Sequence, residues 1–93
     1  MNINYLVINL VCDYPTKENE IRQITGIVDE LEKGENVKEN VGRLQDICNT
    51  LFEITTTEHL IELQVLINEY RYEYDVTDPT EVINQSDDGN FVQ

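Results

Sequence analysis

Apolar residues return at steps of three and four along most of this chain, and that spacing allows little besides helices packed side by side. Between Lys17 and Lys33, Ile21, Ile24, Ile27, Val28 and Leu31 share one side of a helix. Between Asn36 and Ile54 the stripe is Val37, Val41, Leu44, Cys48, Leu51 and Phe52, with Ile47 at its edge. From Thr57 to about Tyr74 it is Leu60, Leu63, Ile67, Tyr70 and Tyr74. A first segment, Asn2 to Asp13, aligns Ile3, Leu6, Val7, Leu10 and Val11. We read it as a helix, with a strand as the alternative because so many of its residues are β-branched.

Turn signals separate these segments. Tyr14-Pro15 closes the first, since the residue before proline is pushed out of helical conformation. Thr16, Asn36 and Thr57 are each placed to cap the helix that follows. Lys33-Gly34 is a C-terminal stop. Connections this short favour antiparallel neighbours. The expected fold is all-α, a small antiparallel bundle of three to four helices over residues 1–74. Residues 75–93 carry Asp75, Asp78, Glu81, Asp87 and Asp88 with no base, and Pro79, Ser86 and Gly89 break the periodicity. They read as an acidic, flexible tail.

Charge narrows the function. The 93 residues hold 19 acids against 6 bases, a net charge of -13, and 14 of the acids precede residue 75, so the excess is not confined to the tail. Such a surface repels nucleic acid and anionic membrane and attracts basic proteins. Alanine and tryptophan are absent while isoleucine, asparagine and glutamate are frequent, the usage of an AT-rich genome such as a low-GC bacterium or its phage. The first base is Lys17, and no apolar run is long enough to cross a bilayer. The expected location is the cytoplasm, of the bacterial host if a phage encodes the chain.

The acids fall in rows. Glu58, Glu62, Glu69 and Glu73 step by four, seven and four residues and share one side of the last helix. Glu39, Asp46 and Glu53 repeat every seven residues on the third segment, where Arg43 can pair with Glu39. Any surface helix needs a polar outer face. Here, however, bases are scarce even where pairing would help stability. Rows of carboxylates on rigid helices can stand in for rows of phosphates.

Some apolar residues lie off the main stripes: Ile61, Val65 and Tyr72 on the last helix, Tyr5 and Ile8 on the first. They mark either central packing or a face for a partner or a second copy in a homodimer. Reactive chemistry is thin. His59 stands beside Glu58 and Glu62 with no second soft ligand, and Asp87-Asp88-Gly89-Asn90 lacks the alternation of a calcium loop. Cys12 and Cys48 read as buried reduced thiols. No Walker loop, nucleophile elbow or zincin motif occurs, so no enzyme, metal or cofactor is expected. The sequence points first to a small acidic inhibitor that occupies the nucleic-acid-binding surface of a basic protein. Glu58, Glu62, Glu69, Glu73, Glu39, Asp46, Glu53, Asp75, Asp78 and Tyr72 would be its contact residues. An immunity or antitoxin protein against a basic nuclease, and a helical adaptor using its apolar second faces, are the alternatives.

Overall fold

The computed structural model describes residues 2–76. The tail from residue 77 onward, including Asp78, lies outside the described residues. Four α-helices follow one another: α1 Ile3–Asp13, α2 Glu18–Glu32, α3 Val37–Phe52 and α4 Glu58–Tyr74, with a short 3-10 turn, Pro15–Lys17, leading into α2. The first segment is therefore a helix and not a strand. Its N-cap Asn2 accepts hydrogen bonds from the backbone N–H of Asn4 and Tyr5, which satisfies two otherwise orphaned donors.

Consecutive helices pack against each other, and α1 returns against α4 to close an up-and-down bundle. The apolar stripes meet inside it. Leu10, Ile21, Ile24, Leu31, Leu44, Leu51, Leu60, Leu63 and Ile67 are wholly buried. Truncating one such leucine to alanine costs about 2–5 kcal/mol. That is a large share of what a chain this size has to spare.

The caps differ in part from what the sequence suggests. Thr57 does accept a bond from the Leu60 N–H, and Gly34, at φ 74°, closes α2 with a Glu35 N–H to Glu30 carbonyl bond. Thr16 caps nothing, because the chain enters α2 through the 3-10 turn and Lys17 holds the N-cap position. Asn36 precedes α3 in a left-handed conformation, φ 47°, and makes no side-chain cap. Its carboxamide is turned instead toward Glu30.

A tyrosine ties each end of the bundle. At one end the buried Tyr14 donates its hydroxyl to the Thr55 carbonyl at 2.7 Å, holding the α3–α4 turn against the α1–α2 turn. At the other, Tyr74 donates to the Leu31 carbonyl at 2.7 Å and draws the end of α4 to the end of α2. With 11 residues α1 is the shortest helix, about 16 Å long at ~1.5 Å per residue. It stops short of this second end and leaves a groove there.

Candidate partner-binding surface

Every acidic residue that the sequence singles out within residues 2–76 is exposed: Glu58, Glu62, Glu69 and Glu73 on α4, Glu39, Asp46 and Glu53 on α3, and Asp75 just past α4. Successive helical residues turn by about 100°, so the order of side chains across the α3–α4 face follows from the sequence. The α3 row of Glu39, Asp46 and Glu53 comes first. Then come Asn49 and Gln45 at the seam, facing Gln64 and Asn68 of α4. Beyond them lie Ile61, Val65 and Tyr72, and last the α4 glutamate row. The two carboxylate rows therefore flank a strip that carries no acid but holds two bases, Lys38 beside the seam on α3 and Arg71 on α4.

The seam itself is an amide ladder. Gln45 Nε2 donates to Gln64 Oε1 at 2.8 Å, and Gln64 Nε2 donates back to Gln45 Oε1 at 3.0 Å. Their remaining amide hydrogens go to Asn49 and Asn68, and Arg71 Nη1 donates to Gln45 Oε1 at 2.8 Å. Buried Cys48 donates to Gln64, and burial pushes its thiol pKa up to about 12. Cys12, in contrast, is exposed, so only one of the two thiols is buried, and the two are not joined.

The α4 row opens away from α3. Glu58 and Glu62 line a groove of about 650 Å³ with Tyr5, Asn9 and His59. Glu69 and Glu73 line a second groove, at the end where α1 stops short, together with Glu32 of α2. Glu32 is a member of this surface that periodicity alone does not identify, because only the helix pairing brings it to α4.

Few bases answer these acids. Arg22 pairs with Glu18, Lys33 with Asp29 and His59 with Asp13, so these three pairs leave both rows out. The expected Glu39–Arg43 pair does not form, since Arg43 Nη1 donates to the buried Asn40 Oδ1 at 3.1 Å. His59 is half-buried rather than exposed, and its Nδ1 donates to Asp13 Oδ2 at 2.7 Å. That hydrogen bond raises the His59 pKa and lowers the Asp13 pKa. Among the described residues no cluster of acids, histidines or cysteines is arranged to hold a metal ion.

The off-stripe apolar residues are exposed too: Tyr72 92%, Tyr5 67%, Ile8 59%, Ile61 51% and Val65 48%. They do not pack centrally, as one reading of the sequence allowed. The outward side of α1 carries Tyr5, Ile8 and Cys12, and no charged residue occurs in that helix before Asp13. Among the described residues no helix is long and apolar enough to cross a membrane. The molecule is thus a small antiparallel four-helix bundle with two carboxylate rows and two apolar faces. No family model, curated protein or solved structure matches the chain.

Proposed function

We propose that this protein is a small acidic inhibitor that occupies the nucleic-acid-binding surface of a basic protein. The observation that carries the reading is the pair of exposed carboxylate rows on α3 and α4, set on either side of an acid-free strip that holds only Lys38 and Arg71 as charges. A duplex also presents two lines of negative charge across a groove. The likeness is coarse in charge density. Four glutamates over the 16 residues from Glu58 to Glu73 give one charge per roughly 6 Å, against about 1.7 Å along duplex DNA. Both rows, and the acids of residues 75–93, would be needed to hold a DNA-binding groove. Tyr72, Ile61 and Val65 in the strip would add apolar contact at the centre of the interface, where aromatic residues contribute most.

The cytoplasm of a bacterial cell, reached from a phage or another mobile element, is the setting this reading implies. Its target class is a basic nucleic-acid-binding protein, and the chain itself would not bind nucleic acid or membrane. An immunity protein against one basic nuclease would use the same surface. The uncharged side of α1 suits a homodimer, because there a second copy can approach without carboxylates facing carboxylates. The exposure of Ile61, Val65 and Tyr72 favours, as the second reading, an adaptor whose acidity serves only solubility.

A salt-gradient pull-down from bacterial lysate, with and without duplex DNA, tests the inhibitor. We expect capture of a basic protein that DNA displaces, and loss of that capture when Glu58, Glu62, Glu69 and Glu73 are all changed to Gln. A partner that withstands DNA and still binds the Gln variant at low salt would sink the reading in favour of the adaptor. Polar replacements of Ile61, Val65 and Tyr72 would then abolish its binding.

A further inference from the structure

Three tyrosines place their rings against the core, and two of them spend their hydroxyls on backbone carbonyls: Tyr14 on Thr55 and Tyr74 on Leu31. Tyr70 differs. It is only 9% exposed, yet its hydroxyl has no hydrogen-bond partner among the described residues. It lines the groove left where α1 stops short, a space of about 330 Å³ walled by Glu32, Glu69 and Glu73 and floored by Leu66 and Tyr74. Burial raises the Tyr70 pKa, and the charges of Glu32, Glu73 and Glu69, which line the same groove, raise it further.

The chemistry of this groove is unbalanced. Three carboxylates and a phenol offer many acceptors, and the phenol is the one donor of the set. A cation bearing several N–H groups would complete it. A bare metal ion would not, because it needs oxygens converging within about 2.6 Å. No described acidic cluster is arranged to do that. The floor favours an elongated ligand. The Tyr70 and Tyr74 rings are stacked, with centroids 6.5 Å apart, and Leu66 extends the apolar surface. Methylene stems and guanidinium planes both rest well on such a floor.

The geometry points to a binding site for an alkyl-guanidinium or alkyl-ammonium group, its stem on Leu66 and the tyrosine rings and its head among Glu32, Glu69, Glu73 and the Tyr70 hydroxyl. The inference rests on the inhibitor reading only for the origin of that group, an arginine or lysine side chain of the basic partner. A free polyamine has the same chemistry.

The test is an NMR titration of the full 15N-labelled chain with butylguanidinium and, separately, with spermidine, against sodium chloride at matched ionic strength. We expect saturable shifts at Leu66, Glu69, Tyr70 and Glu73 for both organic cations. Tyr70→Phe, which removes only the hydroxyl, should weaken binding about twofold. The double change Glu32→Gln, Glu69→Gln should weaken it by roughly fivefold or more, the scale of an exposed ion pair. Glu39→Gln on α3 should change nothing. Shifts that merely follow ionic strength over the whole acidic surface, or binding indifferent to the groove variants, would overturn the site. Spermidine binding more than about tenfold tighter than butylguanidinium assigns the site to a free polyamine, and similar affinities assign it to a side chain. Capture of a basic protein without butylguanidinium binding removes this site and leaves the inhibitor reading intact. Butylguanidinium binding without such capture does the reverse.

Discussion

Asp13 and His59 form the most consequential polar contact of the α1–α4 closure. The last residue of α1 and the second of α4 meet at 2.7 Å across 46 positions of sequence. His59 has a raised folded pKa, so its contribution is complete below the unfolded value near 6.5 and is lost as pH rises through the folded one. Asp13 has a lowered one, so its contribution is present above the unfolded carboxylate value and lost as pH falls through the folded one. Stability is therefore expected to decline as pH rises from about 6.5 through the raised pKa of folded His59. His59→Gln should flatten that slope, as read by urea midpoints across the range. A slope unchanged in His59→Gln would show that other groups cause it. The sequence did not reveal this pair: His59 was legible only beside its neighbours Glu58 and Glu62, while its partner lies at the far end of another helix. Asn40 escaped for a related reason. It is fully buried, and its carboxamide donates to Glu30 Oε1 at 2.9 Å and to the Glu35 carbonyl at 3.0 Å. An asparagine beside an apolar stripe looks like an interruption until its partners are known.

At the level of elements, the amphipathic periodicity carried most of the answer. The stripes of α2, α3 and α4 are the buried faces observed, and the ends of α4 agree with its Thr57 cap and with the change of pattern after Tyr74. The start of α2 was not legible in the same way. Pro15 lacks an N–H, and Tyr14 spends its hydroxyl on the α3–α4 turn, so a tight 3-10 turn forms where a Thr16 cap was expected. The helices also contain glycines that serve no packing purpose. A Cβ at Gly26 or Gly42 would meet nothing within 4 Å. Gly26→Ala and Gly42→Ala should each stabilise the fold by about 1 kcal/mol. In a domain this size that raises the melting temperature by about 4–8 °C. Gly34→Ala should do the opposite, since its φ of 74° is strained for any side chain. Thermal melts of the three variants decide this, and a destabilised Gly26→Ala would mean that a partner or second copy approaches that face.

For the whole molecule, both carboxylate rows could be counted from spacing, because each lies on one helix. Their relation could not. The acid-free strip between the α3 and α4 rows depends on which sides of the two helices meet, and the Gln45–Gln64 ladder fixes that. The cation groove was still less accessible, since it assembles Glu32 from α2 with Glu69 and Glu73 from α4 around the space that a short α1 leaves.

The order in which the helices pack has a kinetic consequence. Each of α2, α3 and α4 lies against the helix next to it in sequence, while distant parts of the chain are joined by α1 against α4 and by the Tyr14–Thr55 and Tyr74–Leu31 hydrogen bonds. Local contacts form with little loss of loop entropy, so folding should be fast, in the microsecond-to-millisecond range of helical bundles. The α1–α4 closure spans the longest loop and is the contact expected to form last. Replacing Asp13 by Asn should then speed unfolding while scarcely changing the folding rate, a low φ-value readable in stopped-flow or temperature-jump experiments. Tyr14→Phe, which frees the neighbouring α3–α4 turn, should behave the same way. A destabilised fold that slowed mainly in the folding direction would place α1 in the nucleus instead.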